Sequence, residues 1–464
     1  MTQHEPSEPP AAFDPRRPLD RELDASVTDG FTFAAVGDCI TSRPLLPSIG
    51  HDPGLARTVD LLRGATATFG NLETSIVDVA RFRHYPRVHE DWSLVASPAV
   101  AQDLAALGFG LVGRGNNHVL DWDVGGMHET GRHLDRAGVV HAGAGGSLAS
   151  ARAARYLETA GGRVGVVSFH TTERFEPSAA LDQHNEVPAR PGLNGIRLRR
   201  RLTVPEATFE GLREIARLFD PEGTWERYAS EGPGTVNVFD TTFRVGERTE
   251  LRYEPYGQDV EGNLLSIRQG KQFADLLVVS AHVHQEGPDG ATPPPFLVDL
   301  AHATIDAGAD VFVGHGVHRL WPVEIYRGRP IFYGLGNFIF SDIQEPMVRA
   351  FREEGAEALR RGLGERAEDA TDAEINLIMN AQGFDDPRYF ESVLAQVEFR
   401  DATPSIVRLH PVDLGYGRRL TESGIPRIAD AETSSSILKR LQAASEPFGT
   451  SIAIADDGTG SISV

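Results

Sequence analysis

Five short polar motifs stand at the ends of apolar runs in this 464-residue chain. They are FAAVGD ending at Asp38, FGNLE ending at Glu73, GNNH ending at His118, VVSAHVHQE with His282, His284 and Glu286, and VFVGHGVH with His315 and His318. Carboxylate, carboxamide and imidazole are the ligands of a hydrolytic two-metal centre. Each motif also has a plain structural use. Asp38 after Gly37 could cap a helix or make a turn. Glu73 could lie on the surface at a helix start, with Asn71 as the cap of that helix. Asn116 and Asn117 could belong to a turn that uses left-handed backbone. Carboxamide oxygen can bind a metal, and His118 could then donate a proton to a leaving group. Asp121, three residues on, could orient His118 or cap the next helix.

His282, His284 and Glu286 alternate, so a strand extending that far puts all three on one face. Three buried polar groups there have little packing use, and Glu286 could instead hold a neighbouring imidazole. The glycines of GHGVH permit a tight turn that aims His315 and His318 at one point. Asn337 in GLGNF is a loop group at the same edge, or a turn residue. Arg114 and Arg319 flank motif residues and could bind an anion, or pair with carboxylates at the surface. His170, at the end of GVVSFH, is kept in reserve with Arg174.

Strands must deliver these residues to one edge. Phe31–Val36, Ala65–Phe69, Phe109–Val112, Val139–His141, Gly165–Phe169, Leu276–Ser280, Val311–Val313 and Pro330–Tyr333 have strand length and apolar content. Helices are expected at Gly54–Leu62, Pro98–Leu107, Gly126–Ala137 and Pro295–Ala307. This alternation implies a layered α/β fold. Between about 171 and 269 the pattern loosens into an amphipathic helix near Val204–Phe219 and short strand pieces, which reads as an insertion or cap. Residues 1–28 are polar and Pro-rich and read as a disordered lead-in. Toward the C-terminus, Glu345–Arg361, Asp372–Gln382 and Ala431–Ala444 read as helices. Ser392–Phe399 with Ser405–Leu409 reads as a closing hairpin, and Thr450–Val464 as an edge hairpin.

The formal charge of −21 argues against nucleic acid or an anionic membrane as partner. An anionic substrate would need a local positive site such as bound metal. The single cysteine, Cys39, excludes an intrachain disulfide and fits a reducing compartment. With neither an apolar membrane span nor a secretory leader, the expected location is the cytoplasm.

The motifs VGD at 36–38, NLE at 71–73, NNHVLDWDVGGM at 116–127, His282 with Glu286, and DAGADVFVGHGVHRLWPVEIYRGRPIFYGLGNFIF at 306–340 together resemble the CapA/PgsA family. These are poly-γ-glutamate capsule biosynthesis proteins with a metallophosphoesterase-like (calcineurin-like) fold. The resemblance covers roughly 31–169 and 275–340. His284 stands where that family usually has glycine, and GHGVH replaces the commoner GHHPH. Ile40 replaces the histidine of the wider superfamily's Asp-x-His, and the membrane anchor of capsule-forming members is missing.

The resemblance implies a four-layer sandwich of two packed mixed sheets flanked by helices. One domain would span 29–464, with 171–269 as insertion or cap and 341–464 as closing helices and strands. It also implies two divalent transition metals, of the Mn, Fe or Zn type. Asp38 and His318 would hold one, Glu73 would bridge, and Asn117, His282 and His315 would hold the second. Asn116, Arg114, His284, Glu286, Arg319 and Asn337 would contact substrate or support ligands. The activity expected is hydrolysis of a phosphoester in a small or oligomeric anionic substrate. A hydroxide between the metals would attack, and His118 would protonate the leaving oxygen. Amide chemistry on a γ-glutamyl or peptide-like substrate, and a non-catalytic accessory role in polymer synthesis, are the alternatives.

Overall fold

The computed structural model describes residues 20–83, 93–172, 179–222, 234–238, 241–287, 289–341 and 356–464. Two large mixed sheets, each of ten described strands, and a set of helices make an α/β sandwich. In the first sheet, Thr32–Thr41 is central. It runs parallel to Ala67–Leu72, which is followed by Leu111–Gly113 and Val140–Ala142, all parallel. Along its other side the neighbour changes. Residues 32–35 pair antiparallel with Glu391–Arg400, whereas 38–41 pair parallel with Asn337–Ser341. The hairpin of Glu391–Arg400 with Thr403–Asp413, and the terminal pair Ala453–Ile454 with Gly460–Ser463, complete that edge. The second sheet places Gly195–Val204, Gly162–Thr172, Leu276–His282, Val311–His315 and Arg329–Phe332 side by side in parallel.

These strands are buried on both faces, so their sequences are continuously apolar rather than alternating. Phe33, Phe69 and Leu111 of the first sheet share one core with Val166, Leu276, Val278 and Val311 of the second. The intervening residues Ala34 and Val36 point the other way, against Leu55, Val59, Val100, Leu104 and Leu134 of three helices. Val167, Leu277, Val279 and Phe312 likewise meet Ile267, Leu297 and Leu300 on the outer face of the second sheet.

Several elements differ from the sequence-based expectation. The first strand does not stop at Gly37 but continues to Thr41. Within residues 20–28, Val27 is buried and Ser26 Oγ donates to Asp275 Oδ1 at 2.6 Å. Within the loose segment, Gly257–Lys271 is a helix that the sequence reading missed. Three glycines and an asparagine weaken its intrinsic propensity, and it forms because Val260, Leu264 and Ile267 pack on the second sheet. The strand Gly195–Val204 of the same segment extends that sheet. Of the expected helix Glu345–Arg361, positions 345–355 lie outside the described residues, as does Arg174; Ala356–Leu363 is helical. Among the described residues no helix is long and apolar enough to cross a membrane.

Candidate metal centre

The parallel strands of both sheets end on one side, and their carboxyl ends carry the motif residues. Register does the gathering. In the second sheet His170, His282 and His315 are direct neighbours on three adjacent strands, which makes a row of imidazoles. In the first sheet Asp38 lies between Asn71 and Asn337 on its two flanking strands. The pairing of Asp38's strand shifts register on both sides of this position, an irregularity that re-aims a side chain. Gly37 is required here. A Cβ at this position would fall 1.8 Å from the Gly336 carbonyl oxygen, the same oxygen that accepts from Asp38 N at 3.0 Å.

Asp38 is fully buried. Its Oδ1 accepts from Asn71 Nδ2 at 2.8 Å, and its Oδ2 accepts from Gly316 N at 3.0 Å. His315 Nδ1 stands 3.6 Å from Oδ1, and His318 Nδ1 stands 3.4 Å from Oδ2. Glu73 is equally buried, with His282 Nε2 at 3.4 Å, His118 Nε2 at 3.8 Å and His318 Nε2 at 4.0 Å from Oε1. His282 Nδ1 faces His315 Nδ1 at 2.9 Å, and Ser280 Oγ meets His315 Nε2 at 2.7 Å. His318 adopts left-handed backbone at φ 58°, a strain of about 1–3 kcal/mol that surrounding contacts must hold in place. Asn337 Oδ1, 2.9 Å from His318 Nδ1, and the ring of Phe384, 5.5 Å away between centroids, are those contacts.

The motif around His118 is held by carboxamides. Asn116 Nδ2 donates to Leu72 O at 2.8 Å and to Asn71 Oδ1 at 3.1 Å, which ties the loop to the Glu73 strand. His118 Nδ1 meets Asp121 Oδ2 at 2.7 Å, and the same oxygen accepts from Leu94 N at 2.6 Å. Asp121 is therefore a partner of His118; the helix Asp123–Ala137 begins after Trp122 with no side-chain cap.

The charges are strongly coupled. Burial alone would push Asp38 up, but the His318 and His315 rings and the Gly316 N–H overcome it and hold this carboxyl below the usual range. Glu73 moves the other way: burial, and then the Asp38 carboxylate, push it well up. Burial and the neighbouring imidazoles hold His282 well below its ordinary value, and burial brings His315 down to about 4 against the pull of Asp38. Neutral imidazole is the form that binds metal.

The residues fit a cation. Three groups of side chains bring ligand atoms within 4.8 Å of one another: Asp38 with His282 and His315, Asp38 with Glu73 and His318, and Glu73 with His282 and His284. Among the described residues, neither oxygen of Glu73 has a hydrogen-bond partner, and neither has Asn117 Oδ1, although all three atoms are buried. Leaving such atoms unsatisfied costs several kcal/mol for a charged group, and a bound cation removes that cost.

Not every expected residue joins the cluster. Arg114 is buried with its guanidinium donating to Met127 O at 2.8 Å and lying 3.4 Å from His141 Nδ1, so it faces the helix rather than the cluster. Glu286 does not hold an imidazole; the strand ends at His282 and Glu286 pairs with Arg319. Arg319 is further engaged by Gly290 O at 3.1 Å. His284 still reaches the centre, with its Nε2 2.9 Å from His282 Nε2. Asn71 caps no helix and instead links Asp38 to His282 Nδ1, which lies 3.2 Å from its Nδ2. His170, held in reserve, lies against His282, with ring centroids 5.4 Å apart. The recurring strand ending in VVSFH and VVSAH was the available signal for it. No sequence signal pointed to Phe384. Its ring also lines an apolar cavity of about 500 Å³ with Phe340, Phe390, Tyr416 and Arg43.

An α/β sandwich that gathers carboxylates and imidazoles into a buried group able to hold a metal ion is the class this fold and site define. The chain belongs to the CapA family: the model of the family described as bacterial capsule synthesis protein PGA_cap matches residues 32–342. The chain is 40% identical over 472 residues to the uncharacterized protein y4sH of Sinorhizobium fredii (strain NBRC 101917 / NGR234), covering 98% of this chain and 97% of that protein. It is 24% identical over 312 residues to the capsule biosynthesis protein CapA of Bacillus anthracis, 67% of this chain and 59% of that one. It is 28% identical over 273 residues to a probable polyglutamine synthesis accessory protein of Mycobacterium tuberculosis (strain ATCC 25618 / H37Rv), 58% of this chain and 54% of that one.

Proposed function

We propose that this chain is a metal-dependent hydrolase of the metallophosphoesterase type that cleaves a phosphoester in a small or oligomeric anionic substrate. The observation that carries this is Glu73, a fully buried carboxylate whose two oxygens find no donor among the described residues while three imidazoles lie within 4.0 Å. Asp38, Glu73 and His318 would hold one cation, and Glu73, Asn117 and His282 a second; His315, expected as a ligand of the second, stands on the Nδ1 side of His282, away from Glu73, and would instead hold that ring and face Asp38. Divalent ions of the Mn, Fe or Zn type would supply Lewis acidity toward phosphoryl oxygens and acidify water near neutral pH.

The chain's own residues do the rest. With Asp121 accepting from His118 Nδ1, the proton to be given away would sit on Nε2, the nitrogen that faces Glu73. Asn116 and Asn71 lock the loop that carries this ring. The apolar cavity beside Phe384 receives the organic part of the substrate.

Amide cleavage is the second reading, and two observations favour it. The arginines expected to bind phosphate are engaged elsewhere, Arg114 by Met127 and Arg319 by Glu286. One relative is named for polyglutamine synthesis, and a polyglutamine backbone is joined by amide bonds.

The test uses the full chain, stripped by chelator and reloaded with Mn²⁺ or Zn²⁺. It is offered an alkyl phosphoester, whose poor leaving group needs a proton, and a γ-glutamyl amide. Metal-dependent release from the phosphoester, about 10²–10⁴-fold lower in His118→Ala at unchanged metal content, supports the first reading. Cleavage of the amide alone moves the assignment to the second. Bound metal without turnover of either overturns hydrolysis and leaves a non-catalytic accessory role.

A further inference from the structure

His284 is an exposed side chain that turns inward. Its Nε2 lies 2.9 Å from His282 Nε2, and its ring centroid lies 4.8 Å from that of His282, 5.9 Å from that of His318 and 6.0 Å from that of His170. His282 thus presents two occupied faces. Its Nδ1 side meets His315 and Asp38, and its Nε2 side meets His284 and Glu73. On that second face Glu73 Oε1 stands 3.4 Å from His282 Nε2, and all three ligand atoms lie within 4.8 Å of one another.

Ligands held about 2.0–2.2 Å from one cation at tetrahedral or octahedral angles are themselves about 3.0–3.5 Å apart. The His284–His282 and His282–Glu73 spacings match that separation. Glu73 adds an oxygen that has no hydrogen-bond partner among the described residues. An imidazole from the solvent side, one from the sheet edge and a bare carboxylate therefore converge on one point.

We propose that His284 is a metal ligand, and that with Glu73 and His282 it builds a solvent-facing cation position. This rests on the assignment of the cluster as a metal centre and extends it. The added nitrogen raises the imidazole share of the donor set, which selects borderline transition metals over Mg²⁺ and Ca²⁺. Because the position opens to solvent, it is also where an anionic substrate group would first meet the centre.

The test is a titration of the stripped full chain with Co²⁺ alone, read by elemental analysis after desalting and by the visible absorption of the bound ion. Wild type is compared with His284→Ala and His284→Gln, and a thermal melt of each confirms folding; His284→Gln keeps a polar group should His284→Ala fail to fold. Loss of one equivalent of Co²⁺, or affinity about 10-fold weaker or worse with altered absorption bands, supports the proposal. Unchanged stoichiometry, affinity and spectrum in a variant, beside a wild type that binds Co²⁺, overturn it and leave the rest of the centre standing. A wild type that binds no Co²⁺ overturns the metal-centre assignment and this inference together.

Discussion

Replacing Glu73 by glutamine should make the metal-free protein more stable and the metal-loaded protein less so. The carboxylate is fully buried, and its oxygens find no partner among the described residues. Burial and the Asp38 charge raise it well above its ordinary value of 4.5. A neutral amide of the same shape relieves the charge repulsion, and a gain of about 1–3 kcal/mol is the scale for one unsatisfied buried group. At about 2.1 cal/mol/K per residue of unfolding entropy, that is a rise of about 1–3 °C in Tm for a chain of this length. The sign with pH follows from the raised value. Below the unfolded value both states carry the proton and wild type loses nothing. As pH rises toward the folded value, the folded state must either keep a proton the unfolded chain has released or bury the charge, and stability falls. The advantage of Glu73→Gln should therefore grow from about pH 5 upward. Adding Mn²⁺ or Zn²⁺ at about 1,000 times its dissociation constant should stabilise wild type by about 4 kcal/mol and the variant by much less. The assay is a pair of melting series across pH, stripped and reloaded. A stripped variant that melts below wild type, or an equal gain from metal in both proteins, would refute the reasoning.

Asp121→Asn removes the acceptor of His118 Nδ1 and should lower kcat about 10–100-fold at unchanged metal content, checked by parallel turnover and elemental analysis. Asp52 caps the helix Pro53–Gly64 through Leu55 N at 3.0 Å and pairs with Arg427 Nε at 2.7 Å, so Asp52→Ala should cost about 1–2 kcal/mol in urea unfolding. Burial opposes ionisation of Asp52, but those two donors outweigh it and lower its pKa. Its contribution is complete above about pH 3.8, the ordinary value, and should disappear as pH falls through the folded value. Lys271 is fully buried with Nζ 3.0 Å from Asp310 Oδ2, an oxygen that also accepts from Leu277 N at 2.8 Å, while Arg329 lies 3.3 Å from Oδ1; Lys271→Met removes one of the two cations facing this carboxylate and should cost about 1–3 kcal/mol, seen as a lower urea midpoint.

The elements of the α/β core were legible because their periods are local properties of the chain. Pro53–Gly64 and Pro295–Asp306 carry apolar stripes and Pro-led starts, and Leu276–His282 and Val311–His315 are unbroken apolar runs. Helix Gly257–Lys271 escaped notice because its sequence is a poor helix and only the sheet beneath it makes it one. The Asp38 strand ran past its glycine because Asn337–Ser341 supplies a new partner there, and no local signal announces a partner 300 residues away.

The same division holds for the site. Residue types and their placement at the ends of apolar runs were enough to select Asp38, Glu73, Asn117, His118, His282, His315 and His318 as candidates, because ligand chemistry belongs to the side chain and a strand end is local. Which of them meet was decided by sheet register and packing. Register set His170 beside His282, and turned Asn71 from a supposed cap into the link between Asp38 and His282. Packing drew Arg319 onto Glu286 and brought His284 back to the centre beyond the end of its strand. Period and residue type can be read within a dozen positions, whereas a distance between strands hundreds of residues apart exists only once the two sheets have closed on their common core.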